Sequence, residues 1–172
     1  TGEPCAGNPK PRLFRVPAEK SIIVNYGLMN DGCEAIAKRL HNVKFRIPIG
    51  LSVAKTNDPK LDTVAGVKDY IKAYHHLHHL GSYTTINVSC PNTVDGMTFA
   101  HPQNLRLLLA ALNKEKHEKP IFVKIKPDFT QTQLQEIVDI INSYDWITGI
   151  IIGNLTTHRD NLKTSKAYSG FN

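Results

Sequence analysis

Thr84-Thr85-Ile86-Asn87-Val88-Ser89-Cys90-Pro91-Asn92-Thr93 lies near the middle of the 172-residue chain and decides how the rest is read. Its first half is β-branched and apolar, the composition of a strand. Pro91 brings no N–H to a ladder, so the pattern predicts a strand that ends at Cys90. Two carboxamides, a hydroxyl and a thiol crowd the positions from Asn87 to Asn92. Polar groups that different, set where a strand ends, point to the rim of a site rather than to a core.

Working outward, Pro48 to Ala54 reads as a short strand, with Lys55-Thr56-Asn57-Asp58-Pro59 as a loop. Thr63 to Leu80 has helical spacing, with Val67, Tyr70, Ile71, Tyr74, Leu77 and His78 on one face. Pro102 to Leu112 is a second helix, carrying Leu105, Leu107, Leu108, Leu109 and Leu112. Pro120 to Ile125 is a strand. Asp128-Phe129-Thr130 opens a helix to about Ile141, with Leu134, Ile137, Ile140 and Ile141 facing in, and Ile147 to Ile152 is the next strand. Upstream, Ser21-Ile22-Ile23-Val24 is a short apolar run. Asp31 is placed to cap a helix to Leu40 with Cys33, Ile36, Ala37 and Leu40 on one face. Residues 1–20 are polar, with three prolines by position 11, and read as extended or turn structure.

Strand and helix alternate at least three times, and the strands are near-continuous apolar runs. That pattern marks parallel strands buried by crossover helices, in an α/β fold. A TIM-type (β/α)8 barrel and an open doubly wound sheet both fit. No Gly-x-Gly-x-x-Gly follows a strand, so a Rossmann dinucleotide site lacks its signature. Polar clusters follow the strand ends instead: Lys55-Thr56-Asn57, Asn87 to Thr93, Lys124-Lys126-Asp128, and Asn154 with Thr156, Thr157 and Arg159. A barrel gathers such ends into one mouth, and the barrel is favoured on that ground.

Composition narrows the function. The hydrophobic share of 41% and charged share of 21% are those of a globular domain. No apolar run approaches the roughly 18 residues of a membrane span. Three cysteines without a Cys-x-x-Cys pair indicate a reducing compartment rather than a disulfide frame. The net charge of +6 is spread along the chain, with no basic block interleaved with aromatics, so nucleic acid is not expected as a partner.

Cys90 reads either as a small buried hydrophobe or, between Asn87 and Asn92, as a nucleophile or base. Lys124 interrupts an apolar strand and either reaches solvent or faces an anion. His75 and His79 are spaced i,i+4, but the His-Glu-x-x-His arrangement is absent, so no metal site is expected. Asn87 and Asn92 are turn formers or a clamp for a planar, amide-rich ring.

Five motifs, in order, then resemble one family. Ile86-Asn87-Val88-Ser89-Cys90-Pro91-Asn92-Thr93 is similar to the active-site loop of dihydroorotate dehydrogenases. Gly7-Asn8-Pro9-Lys10-Pro11-Arg12 resembles the segment before the substrate loop in the quinone-linked class, and Gly27-Leu28 with Asn30-Asp31-Gly32 resembles that loop. Val123-Lys124-Ile125-Lys126-Pro127-Asp128 is similar to the strand bearing the flavin lysine, and Asn154 with Thr156-Thr157 follows the next strand as expected.

The resemblance implies a β/α barrel that binds FMN and oxidises dihydroorotate to orotate in pyrimidine synthesis. It places the base that takes the C5 proton at Cys90. It assigns Ser52, Asn87, Lys124, Gly153 and Gly170 to FMN, and Asn25, Gly27, Leu28, Asn87, Asn92 and Asn154 to the substrate. Cysteine at the base position is typical of the soluble, fumarate- or NAD-linked class, whereas the amino-terminal signature is quinone-like. Quinone is placed first as acceptor, with fumarate or NAD as alternatives. The matching location is peripheral, on the cytoplasmic side of the inner or cytoplasmic membrane, with a soluble cytoplasmic protein as the alternative.

Val24 stands where an asparagine is usual, Ser52 replaces an FMN-contacting asparagine, and Leu155 replaces a substrate-contacting threonine. The neighbouring readings are a related flavin-dependent dihydropyrimidine oxidoreductase and a non-catalytic basic module on a decayed barrel. Residues 1–172 correspond to the central half of the family's barrel. The expectation is one FMN-binding domain in fragment form, inactive alone and completed by the missing barrel half or a homodimer partner.

Overall fold

The computed structural model describes residues 1–91 and 98–158. The apolar runs form β3 (Gly50–Val53), β4 (Tyr83–Asn87), β5 (Ile121–Ile125) and β6 (Gly149–Ile152), after an amino-terminal pair β1 (Leu13–Val16) and β2 (Ser21–Val24). β3 to β6 make one parallel sheet whose spatial order is the chain order. An open doubly wound sheet reverses its order at a switch point. These strands run on without reversal, as successive barrel strands do.

The helices are α1 (Gly32–Leu40), α2 (Thr63–Leu77), α3 (Pro102–Leu112) and α4 (Gln131–Asn142). α2 begins where the Asp62 side chain accepts from the Ala65 N–H at 2.7 Å. α4 begins with a capping box, in which Thr130 and Gln133 satisfy each other's backbone N–H. Helix α4 therefore starts after Thr130, and Asp128 is not its cap. Asp31 does not cap α1 either: its carboxylate pairs with Arg39 at 2.6 Å, while Asn30 Oδ1 accepts from the Gly32 N–H at 2.8 Å.

Strand register sorts the side chains. Val53, Ile86, Val123 and Ile125 point to one face and are buried against Leu105, Leu108, Leu112, Ile137 and Ile140. Leu105, Leu108, Leu109 and Leu112 form the buried stripe of α3. Leu107, expected among them, is 55% exposed, because two residues along a helix is more than half a turn from Leu105. The opposite face carries Ser52, Thr85, Asn87, Phe122, Lys124 and Ile151. On it Ser52 is exposed, and Phe122, Lys124 and Ile151 are half-buried.

β4 ends at Asn87, three residues before the predicted limit. The Val88 N–H still donates to Lys124 O at 3.2 Å, but the Ser89 hydroxyl then takes the same carbonyl at 3.0 Å and the ladder stops. Residues expected to be irregular contain β1, which pairs antiparallel with β2 through a tight turn at Pro17–Glu19. Val16 and Ile23 bury one face of this hairpin. Residues 1–5 dock along α1 and α2. Asp69 accepts from the Thr56 N–H and hydroxyl, both at 2.7 Å, and from the Gly2 N–H at 3.3 Å. Lys72 joins Glu3 and Glu34.

Candidate active site

The carboxyl ends of β4, β5 and β6 converge on one polar cluster. Asn87 closes β4 and is nearly buried. Its backbone carbonyl accepts from the Tyr70 hydroxyl at 2.8 Å, which ties the strand end to α2. Its Oδ1 accepts from the Ser89 N–H at 3.4 Å and from Asn154 Nδ2 at 3.3 Å. Ser89 Oγ lies 3.0 Å from Lys124 O and 3.4 Å from Asn87 Oδ1, so its single proton goes to the nearer carbonyl. Oδ1 of Asn87 is thus occupied. Among the described residues its Nδ2 has no acceptor and is free to donate to a ligand.

Lys124 is the register partner of Asn87 across β4 and β5. No described carboxylate pairs with its ammonium, so any anion it meets comes from outside the described residues. β6 then runs into Gly153 through a cis Ile152–Gly153 peptide. A Cβ at Gly153 would lie 3.2 Å from Ile125 O and 3.3 Å from Pro127 N, a tight fit that requires a shift of a few tenths of an ångström between the ends of β6 and β5. The Asn154 N–H donates to Ile125 O at 3.1 Å, which sets its side chain toward Asn87 and Ser89. Ser52 lies on the same open face, one strand away from β4.

Asn25, Gly27 and Leu28 form a second cluster. Asn25 Oδ1 accepts from Asn8 Nδ2 at 2.6 Å, and the Gly27 carbonyl accepts from Asn57 Nδ2 at 3.1 Å. Gly27 has φ +65°, and a Cβ there would fall 2.7 Å from the Asn8 backbone nitrogen, so glycine is required on both counts. Asn57 belongs to the loop after β3, which fastens this cluster at the same end of the sheet. No hydrogen bond joins Asn25 to Asn87.

Cys90 is half-buried and carries no disulfide; Cys5 and Cys33 are buried. Cys33 Sγ donates to Gly2 O at 3.2 Å, and burial pushes its thiol above its usual pKa. Asn92, Arg159 and Gly170 lie outside the described residues. Among the histidines, His75 bonds Glu115 and His78 stacks on Tyr74 at 4.7 Å. Among the described residues no three His, Cys, Asp or Glu side chains are grouped to hold a metal.

Four contributors escaped the sequence reading. The sequence places Tyr70 on the core face of a helix, Asn8 in the amino-terminal motif, Asn57 in a loop and Asp128 at a helix start, and none of these placements carries the contact seen here. For Asn57 and Asp128 a polar residue three or four positions beyond a strand end is the available signal, without the partner; Tyr70, inside α2, and Asn8, before β1, carry no such signal.

A family model described as dihydroorotate dehydrogenase matches residues 1–170. The chain belongs to the dihydroorotate dehydrogenase family. It is 37% identical over 166 residues to a dihydroorotate dehydrogenase (quinone) of Synechococcus sp. strain JA-2-3B'a(2-13), covering 95% of this chain and 43% of that protein. It is 39% identical over 166 residues to the protein of the same name from Nostoc sp. strain PCC 7120, with the same coverage. The ligand-free dihydroorotate dehydrogenase of Eimeria tenella superposes with a TM-score of 0.83 at 25% identity, covering 97% of this chain and 53% of that one. The chain therefore spans about two fifths of the length of these curated relatives. Its four parallel strands and their helices are an arc of the family's β/α barrel. The open face bearing Asn87 and Lys124 is the inner wall of that arc.

Proposed function

We propose that the protein carrying this chain oxidises dihydroorotate to orotate with FMN as its redox group. The observation that carries this reading is the convergence of Asn87, Lys124 and Asn154 on the inner wall of a family barrel, with donor groups left over. Those leftovers fit a flavin and a carboxylate-bearing ring: an ammonium without a described anion and a carboxamide with an unused NH2. FMN, when bound, supplies the hydride acceptor. Lys124 would hold the flavin ring, where its positive charge would favour the reduced, anionic form. Asn87 donates from Nδ2, Gly153 keeps the β6 end close to β5, and Ser52 and Gly170 complete the cofactor contacts. Asn25, Gly27, Leu28, Asn92 and Asn154 hold the substrate. Cys90 removes the C5 proton as a thiolate, which needs a smaller pKa shift than a serine alkoxide would.

Residues 1–172 act as the central part of one FMN-binding barrel domain. Among the described residues β3 and β6 are edge strands, and on the inner wall Thr85 and Asn87 are buried, Phe122, Lys124 and Ile151 half-buried and Ser52 exposed. A wall of that kind stabilises a ligand only when the facing strands close over it. Those strands come from the rest of the protein or from a second copy. Quinone is the acceptor, in line with the printed names of the relatives, and the protein meets it as a peripheral protein at the membrane. No described helix is long and apolar enough to cross a membrane. Cys90 favours one second reading, of the acceptor alone: a soluble protein using fumarate or NAD.

Anaerobic addition of dihydroorotate to the FMN-loaded protein tests the reaction. Bleaching of the flavin absorbance is expected, and its absence would overturn the assignment. Reoxidation by a short-chain quinone, fumarate or NAD then separates the acceptors. The 172-residue chain alone is expected to bind FMN weakly, and stoichiometric binding by its monomer would remove the claim that the wall needs a complement.

A further inference from the structure

The loop after β6 is exposed, yet one carboxylate grips it. Thr156 Oγ1 donates to Asp128 Oδ1 at 2.6 Å, and the Thr157 N–H and hydroxyl donate to Oδ2 at 2.7 and 3.2 Å. His158 Nε2 lies 3.9 Å from Oδ1. The Asp128 side chain is only 8% exposed, although Leu155 to His158 around it are exposed. Burial pushes its pKa up, but the bonds from Thr156 and Thr157 outweigh that and hold it below the usual aspartate value. The loop is built around the charged form.

The grip has a consequence for Asn154. That residue is tethered on one side by its N–H to Ile125 O. On the other side Thr156 and Thr157 are fixed by Asp128. Both anchors, and Lys124 itself, lie in the single stretch from Lys124 to Asp128. With both in place, Asn154 Nδ2 reaches Asn87 Oδ1 and Ser89 Oγ, each at 3.3 Å. With the Asp128 anchor gone, the loop loses three of its hydrogen bonds, and the bonds at Asn154 itself are left to hold its position.

We infer that Asp128 is a positioning residue for substrate recognition: by clamping Thr156 and Thr157 it fixes the loop after β6 so that Asn154 presents its amide at the mouth of the sheet. The inference rests on the proposed function, in which Asn154 contacts the substrate. It assigns Asp128 no contact with substrate or cofactor. Its effect falls on geometry, where a displacement of about 1 Å can cost on the order of a hundredfold.

The test uses the FMN-loaded protein in four forms: wild type, Asp128→Asn, Thr156→Val and Thr156→Ser. Readouts are the orotate dissociation constant by calorimetry, KM and kcat for dihydroorotate, FMN content, and amide hydrogen exchange over residues 154–158. Asp128→Asn and Thr156→Val are expected to weaken orotate and raise KM by roughly ten- to a hundredfold. FMN content should hold, and Thr156→Ser, which keeps the hydroxyl, should behave as wild type. Wild-type orotate affinity in Asp128→Asn, or equal impairment of Thr156→Ser and Thr156→Val, overturns the clamp. If Asp128→Asn does not fold, the Thr156 pair decides. If wild type neither binds orotate nor oxidises dihydroorotate, the functional reading fails. Hydrogen exchange still judges the clamp in that case, since Asp128→Asn must speed exchange at residues 154–158 and unchanged exchange overturns it.

Discussion

Asn154 Nδ2 donates to Asn87 Oδ1 across 3.3 Å, so the loop after β6 reaches past the end of β5 to the end of β4. Lys124 lies between them in the strand order. Two strand ends and the lysine are thereby fixed as one unit, and the carboxamide of Asn87 is oriented with its NH2 outward.

Replacing Asn87 with alanine takes the acceptor from Asn154 and from the Ser89 N–H at once. Unpaired polar groups in a nearly buried site cost about 1–3 kcal/mol. The variant should lose stability in that range by urea denaturation and lose FMN binding with it. A variant that is as stable as wild type and retains its flavin would show that the amide orients nothing.

Tyr70→Phe removes one buried hydrogen bond, from the hydroxyl to Asn87 O at 2.8 Å, and leaves the ring edge-on to Phe99 at 5.2 Å. The carbonyl is then buried without that donor, at an expected loss of about 1–2 kcal/mol. Urea midpoints of the two proteins measure it. Because the bond lies behind the site, kcat/KM for dihydroorotate should fall as well, and unchanged kinetics would confine Tyr70 to a packing role.

Much of this was legible in the sequence. Periodicity gives α3 and the buried stripe of α4, because i, i+3, i+4 spacing has one solution on a helix. Alternation in Ile121 to Ile125 places Lys124 on the face opposite Val123 without coordinates. The β1–β2 hairpin was not legible, since three prolines mask a short pairing that only tertiary packing stabilises. Nor was the end of β4, which is set by the Ser89 hydroxyl competing for Lys124 O. The sequence places Asp128-Phe129-Thr130 at the start of a helix, whose actual cap is Thr130. Asp128 has its true partners, Thr156 and Thr157, almost thirty positions away.

The Asp128 carboxylate gives the fold an acid limit. Its pKa is lower folded than unfolded, so it contributes stability above the ordinary aspartate pKa of about 3.9. That contribution is lost as pH falls through the lower folded value. Stability of wild type relative to Asp128→Asn should be greatest near neutrality and shrink below about pH 4. Parallel curves down to pH 3 would mean that the charge of Asp128 does not support the loop.

Lys124 carries the opposite trade. Lys124 is half-buried on the inner face and no described anion pairs with its ammonium, so its charge gains nothing there in the empty protein. Lys124→Met is therefore expected to raise the melting temperature of the apoprotein slightly while weakening FMN by at least tenfold. Differential scanning calorimetry and a flavin fluorescence titration read the two effects. A destabilised apoprotein with normal flavin affinity would assign the lysine to structure.

The Cys90 thiol sits half-buried just past a strand end that Tyr70, Ser89 and Asn154 hold in place. A base in that position has to lose its proton before it can take one from carbon. A free thiol does so near pH 8.5, and a serine hydroxyl lies far higher. The rate of flavin reduction by dihydroorotate should rise with pH and level off above the thiol pKa. Cys90→Ser should be slower by on the order of a hundredfold or more, with no plateau in the accessible range, and Cys90→Ala should be slower still. Stopped-flow absorbance under anaerobic conditions resolves the three profiles. If Cys90→Ala keeps the wild-type rate and plateau, the proton leaves through another group.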